Sequence, residues 1–342
     1  MTTTTLPLAP APAPAPASAW PLIDSLVLDA TAPDTFRSRR SVPAGLSAVF
    51  GGQTVAQALS AAARTVPRGR EPHSLHGYFL YRGDPAQPIT YRVERLRDGH
   101  SFTSRRVVAV QTGGRTEQEI FHLTASFKRT SRPGEDHQIG MPSAPSPHRL
   151  PHAVDEPPAQ VHPGVIRLLS DLRDVVDVRY VHDPADPRPG RRLDRTAEVT
   201  RVWFRVRELP PGADAGVPAL QQCLVAYLSD LTLLDSASPN HRTGLPNEGN
   251  GTAVSLDHAM WFHRPLSADE WLLFEQRSPS FADGRALVHA RIYTADGALA
   301  ASVVQEGVIR PGRTAGPADP PDTLPESDID PFSWAVAKPE TD

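Results

Sequence analysis

Phe50-Gly51-Gly52-Gln53-Thr54-Val55-Ala56-Gln57-Ala58-Leu59-Ser60-Ala61-Ala62-Ala63-Arg64-Thr65 reads as a helix of about four turns. Val55, Ala58, Leu59, Ala62 and Val66 recur at helical spacing. The other faces carry mostly Ala, Gly, Ser and Thr, so the helix is small and apolar all round. Such a helix belongs inside a protein, with its neighbours packed close. Pro67 ends it.

Four strand-like runs follow: Ser74–Tyr81, Ile89–Arg97, Phe102–Gln111 and Gln118–Lys128. Arg82-Gly83-Asp84-Pro85, Asp98-Gly99 and Gly113-Gly114 separate them as turns. Connections this short pair strands antiparallel.

The second half repeats the order. Val202, Phe204 and Val206 alternate in a leading strand. A helix is predicted from Ala219 to Asp235, with Leu220, Leu224, Tyr227, Leu228, Leu231 and Leu234 on its apolar side. Strands are predicted at Ala253–His263, Leu272–Gln276, Ala286–Thr294 and Ala300–Arg310, with turns at Asp283-Gly284 and Asp296-Gly297. Leu75-His76-Gly77-Tyr78-Phe79 aligns with Asp257-His258-Ala259-Met260-Trp261 in this repeat. One helix and then an antiparallel sheet, twice over, is an α+β pattern. The economical arrangement wraps each of two sheets around its own helix and joins the sheets side by side.

The chain divides accordingly. Residues 1–20 form a Thr-rich, then Ala/Pro tail, which lacks the backbone donors and apolar surface to fold. The first repeat spans 21–131, a Pro-rich linker 132–163, and the second repeat 164–312. Residues 313–342 make a second flexible tail. Residues 183–190 read as a surface loop.

Composition excludes several classes. The 35 Lys and Arg are outnumbered by 39 Asp and Glu, for a net charge of −4, with no long basic run. A nucleic-acid partner is therefore not expected. Arg39-Arg40 and Arg191-Arg192 read as solvated surface pairs. No stretch approaches the ~20 apolar residues of a membrane helix, and the N-terminus lacks signal-peptide features, so a cytoplasmic protein is expected. The single cysteine, Cys223, rules out an internal disulfide and reads as a buried structural thiol.

Several long motifs together resemble type II acyl-CoA thioesterases. In the first half they are Val49-Phe50-Gly51-Gly52-Gln53, His76-Gly77-Tyr78-Phe79, Arg97-Asp98-Gly99-His100-Ser101-Phe102 and Arg105-Arg106-Val107. In the second they are Ala226-Tyr227-Leu228-Ser229-Asp230-Leu231, Leu256 to Pro265 and Val304 to Arg310. The similarity covers residues 22–312. It implies a double hot-dog fold and cleavage of acyl-CoA to free acid and coenzyme A, with no cofactor. It also implies an active site of Asp230, Ser255 and Gln305. Many relatives carry Thr where this chain has Ser255; the hydroxyl is kept. Such folds commonly associate further, so a homo-oligomer is compatible with the reading.

Taken without the family, the three residues are less decisive. Asp230 shares a face with Tyr227 and Leu234, and an ionised carboxylate there needs hydrogen bonds or water. The alternatives are rotation to solvent or a local bond. Ser255 has no nucleophile elbow around it, which favours water as the nucleophile. Gln305, between Val304 and Val308, needs partners for its amide; an ordinary cross-strand bond would also serve.

Asp257-His258 offers a different chemistry, that of a hot-dog hydratase acting on acyl-CoA. A structural role fits His258 equally, since it aligns with His76. The histidines show no metal-ligand spacing. Gly51-Gly52 reads as a site of close helix–sheet approach rather than a phosphate loop, because no Lys-Ser or Lys-Thr follows. Arg82, Arg97, Arg105 and Arg264 are candidates for coenzyme A phosphates, with surface ion pairing as the simpler role. A non-catalytic acyl-CoA-binding module is the remaining alternative; the retained Asp230, Ser255 and Gln305 speak against it.

Overall fold

The computed structural model describes residues 21–39, 46–113, 116–129, 134–158, 161, 163–181, 199–209, 212, 217, 219–237 and 252–310. The readings of residues 1–20, 183–190, 313–342, Arg40 and Arg191-Arg192 lie outside them. The described helices are α1 (Pro21–Leu26), α2 (Gly51–Ala63), α3 (Pro163–Asp171) and α4 (Leu220–Ser229). The strands of the first half are β1 (Asp29–Ala32), β2 (Thr35–Arg37), β3 (Arg70–Phe79), β4 (Thr90–Asp98), β5 (Phe102–Gly113) and β6 (Thr116–Arg129). Those of the second are β7 (Val176–Tyr180), β8 (Val199–Val206), β9 (Thr252–Ser255), β10 (Asp257–Phe262), β11 (Leu272–Ala282), β12 (Arg285–Thr294) and β13 (Leu299–Arg310).

All 13 strands join one antiparallel sheet, in the order β1-β2-β4-β5-β6-β3-β10-β13-β12-β11-β8-β7, with β9 added beside β13. The two sheets expected side by side are therefore continuous. The seam is β3 against β10, where His76 stands opposite Ala259 and Leu75 opposite Met260. Alternation along each strand puts one set of side chains against the helices and the other outward. Leu75 and Met260 are fully buried, whereas His76 is exposed and meets the Trp261 ring edge-on at 4.9 Å.

Helix α2 packs against β3, β4, β5 and β6 on one side and against α4 on another, as an apolar, small-residue helix must. Positions 52–62 of it are all buried, including Gln53, Gln57 and Ser60. The polar ones have partners: Gln57 donates to the Ser25 carbonyl and accepts from the Tyr91 hydroxyl, and Ser60 donates to the Leu26 carbonyl. Helix α1 thus lies across α2 and is tied to it.

Two expectations need correction. The second helix stops at Ser229, with Asp230 as its C-cap, rather than running to Asp235. A separate 3-10 turn covers Leu234–Ala237. The strand expected at Ala253–His263 is broken at Leu256 into β9 and β10. Part of the Pro-rich segment is docked on the second half. Trp203 donates to the Pro145 carbonyl, Arg179 to those of Pro147 and Leu150, and Gln138 to that of Gly297.

Candidate active site

The site forms where α4 ends beneath the start of α2. Asp230 caps α4 at φ −88° and ψ −9°, which turns the chain out of the helix after Tyr227, Leu228 and Ser229 have been buried. Gln305 comes from the middle of β13, fully buried. Ser255 ends β9, and β9 pairs with β13 so that Ser255 faces Gly307, two residues beyond Gln305.

The three sequence-predicted residues converge. Gln305 Nε2 donates to Asp230 Oδ1 at 2.8 Å and to Ser255 Oγ at 2.5 Å. One amide nitrogen thus uses both its hydrogens on the other two groups. Burial pushes the Asp230 carboxyl up to about 6, against hydrogen bonds from Gln305, the Gly52 backbone N–H and Ser255 that favour its charged form. A carboxylate poised there is ionised at neutral pH and basic enough to take a proton.

Gly51 and Gly52 allow this convergence. A Cβ on Gly52 would lie 2.5 Å from the Tyr227 carbonyl oxygen, and one on Gly51 would lie 2.7 Å from Asp230 Oδ2. They allow a close approach of α2 to the end of α4 around a carboxylate, and Gly51 also the expected approach to the sheet, where its Cβ would stand 3.1 Å from Phe79 of β3. A Gly pair at a helix start was the available signal; that its neighbour would be Asp230 was not visible in the spacing.

His258 and Asp257 do not form an acid–base pair. As adjacent strand residues they point to opposite faces. Asp257 Oδ1 accepts from the Glu306 backbone N–H at 2.7 Å, while His258 is fully buried with Nε2 2.9 Å from Ser229 Oγ. Burial lowers the imidazole to about 4, so it is neutral. Nor do His258 and His76 stand alike: His76 faces outward and His258 inward.

The other candidates hold structure together. Arg105 is wholly buried and donates to Thr65 Oγ1, the Thr65, Arg97 and Ser104 carbonyls and Asp98 Oδ1. Arg264 pairs with Asp136 and donates to the Leu299 carbonyl, and Arg82 donates to the Ser47 carbonyl. Cys223 is buried, and burial raises its thiol far above the reactive range. Among the described residues no group of three or more His, Cys, Asp or Glu could hold a metal ion. No helix among them is long and apolar enough to cross a membrane.

Residues 39–128 match the family model of the acyl-CoA thioesterase N-terminal domain, and residues 143–309 that of the acyl-CoA thioesterase C-terminal domain. The chain belongs to the type II acyl-CoA thioesterase family. Human acyl-coenzyme A thioesterase 8 is 37% identical over 297 residues, 83% of this chain and 87% of the relative. Acyl-CoA thioesterase 2 of Haemophilus influenzae is 35% identical over 303 residues, covering 84% and 96% of the two chains. Among solved structures, the acyl-CoA thioesterase II TesB2 of Mycobacterium marinum superposes on this thioesterase family member with a TM-score of 0.67. It is 40% identical, over 85% of this chain and 98% of its own. A hot-dog-fold protein of Alicyclobacillus acidocaldarius superposes with a TM-score of 0.62 at 18% identity, over 84% and 97% of the chains. The fold is a hot-dog fold.

Proposed function

We propose that this family member hydrolyses acyl-CoA to a free carboxylic acid and coenzyme A with a water held and activated by Asp230, Ser255 and Gln305. The observation that carries the reading is the Gln305 amide nitrogen donating at once to Asp230 and Ser255. Asp230 acts as general base: its carboxylate draws a proton from water as the oxygen attacks the thioester carbonyl carbon. Ser255 orients that water, and Gln305 holds Asp230 and Ser255 in place around it. The first turn of α2 supplies the electrophilic side, because a helix start leaves N–H groups without partners inside the helix and carries a partial positive charge. Donors of that kind stabilise the oxygen that becomes negative in the tetrahedral intermediate. When the intermediate collapses, the carbon–sulfur bond breaks and the thiolate of coenzyme A leaves. A thiolate is a good leaving group, so no strong acid is required.

The reading extends to architecture. Residues 21–131 and 164–312 are taken as two hot-dog repeats forming a double hot-dog, each half of the sheet curving around its own helix, with 132–163 as the linker. Support comes from α2 resting on β3–β6 and α4 contacting α2 and β8. The reading also includes a cytoplasmic setting, in which the buried Cys223 stays reduced, no nucleic-acid or membrane partner, and association into a homo-oligomer. The hydratase alternative loses support because Asp257 and His258 face opposite ways.

The test is a single turnover in ¹⁸O-water with excess enzyme, with thiol release followed by a thiol reagent. One ¹⁸O in the released acid and none in the protein is the expected result. Label in the Asp230 carboxyl would mean that Asp230 itself attacks, and acyl-CoA left uncleaved would remove the hydrolase reading altogether.

A further inference from the structure

Behind Gln305 lies a second buried polar pair that the proposed chemistry does not use. His258 and Gln305 are neighbours across the β10–β13 pairing. Ala259 stands opposite Val304, and His258 and Gln305 are the next residues along, both turned inward and both fully buried. The far side of the imidazole meets Ser229, whose Oγ lies 2.9 Å from His258 Nε2 and is also placed to donate its one hydrogen to the Ala226 carbonyl at 2.9 Å. Two buried atoms here have no partner of full hydrogen-bonding geometry: His258 Nδ1 and Gln305 Oε1.

Those two atoms are complementary in only one protonation pattern. Gln305 spends its nitrogen on Asp230 and Ser255, so its oxygen is turned the other way. A buried amide oxygen left without a donor is costly. If the Ser229 hydroxyl donated to Ala226, His258 would carry its single proton on Nε2 to serve Ser229. A bare Nδ1 would then be directed at a bare carbonyl oxygen. If the Ser229 hydroxyl donates to Nε2 instead, Nδ1 keeps the proton and gives it to Gln305 Oε1. The imidazole is neutral, so one of the two tautomers must be chosen.

We infer that His258, as the neutral Nδ1–H tautomer set by Ser229, is a positioning residue that locks the Gln305 amide with its nitrogen toward Asp230 and Ser255. The donors then run in one direction, Ser229 to His258, His258 to Gln305, and Gln305 to Asp230. Without the Nδ1–H, the amide is free to turn over and present its oxygen to a carboxylate, which repels it. Asp230 and Ser255 would lose the donor they share, and Asp230 a neighbour that favours its charged form. This inference rests on the reading of Asp230 as the base.

The test has two arms. In His258→Asn the side-chain amide can present an N–H where Nδ1–H sits, whereas in His258→Leu nothing can. The Asn variant should keep kcat near the wild-type value. The Leu variant should lose about ten- to a hundredfold in kcat, the rate equivalent of one unpaired buried acceptor, with KM little changed. Equal kcat for the two variants would overturn the inference. Asp230→Asn is run alongside: if it is inactive while the two histidine variants match, only the role of His258 fails. If Asp230→Asn is itself active, the base reading fails first. The second arm uses the unaltered protein and needs no variant to fold. Nitrogen-15 NMR of labelled histidine should show a His258 ring protonated on Nδ1 and bare on Nε2; the opposite tautomer would overturn the inference.

Discussion

A single methyl group added to Gly51 would stand 2.7 Å from Asp230 Oδ2 and 3.1 Å from the Phe79 ring. The start of α2 and the end of α4 therefore share one narrow space, and the carboxylate fills it. Gly51→Ala should displace Asp230 and cost about ten- to a hundredfold in kcat/KM, since sub-ångström placement governs such steps. In Gly52→Ala the obstacle is the Tyr227 carbonyl, 2.5 Å away and part of the backbone, so the loss falls on the fold, about 1–3 kcal/mol. Steady-state kinetics on the first and denaturant titration of the second separate the two effects; wild-type kinetics for Gly51→Ala would contradict this geometry.

The pH profile follows from burial. With the carboxyl raised to about 6, kcat/KM should climb through pH 6 and level off above it. The rise comes from deprotonation of the base. A half-point near 4, the ordinary value of a solvated Asp, would mean that the group is not buried when it acts.

The same shift has an opposite consequence for stability. The native carboxyl holds its proton up to about 6, whereas the unfolded chain releases it near 3.8. Between those values the native state binds more protons, so it loses relative stability as pH rises. The penalty is absent below about pH 4 and complete above about 6, and roughly two units correspond to about 3 kcal/mol. Asp230→Asn lacks the titration. Its unfolding free energy relative to wild type should improve by about that amount from pH 4 to 7. A difference that stays constant across that range would show that the native carboxyl is not raised.

Much of this was legible in the sequence, and the failures share a cause. The all-round apolar character of residues 51–63 required burial, and the short Gly-containing turns required antiparallel neighbours. The joining of the two sheets was expected, but not which strands make the seam: that β3 meets β10 depends on pairing such as Tyr78 with Asp257, far apart in the chain, which periodicity does not carry. The end of α4 was missed because Leu231 and Leu234 keep the apolar spacing past Ser229, although they pack from a turn and not from the helix. At the site, the family motifs brought Asp230, Ser255 and Gln305 forward. Leu75 and His76 differ by one position in the strand, and that one position decides which face a side chain takes. For this reason aligning His258 with His76 hid the inward turn of His258 toward Gln305.

Arg105 separates structure from substrate binding. It is fully buried, with five acceptors around its guanidinium, while its partner Asp98 is 43% exposed. Arg105→Ala should destabilise by about 3–5 kcal/mol, through buried carbonyls left unpaired. Asp98→Asn should change little, because its end of the pair is wet. The KM for acyl-CoA at a temperature where the Ala variant is folded should match wild type; a raised KM would return Arg105 to the list of coenzyme A contacts.

The most direct measurement is the turnover of Asp230→Asn, which keeps the shape of the side chain and removes its basicity. The account predicts a loss in kcat of about a thousandfold or more, within the range removal of a general base costs, in a protein whose circular dichroism and cooperative unfolding are intact. Hydrolysis within a few-fold of wild type by that folded variant would contradict it.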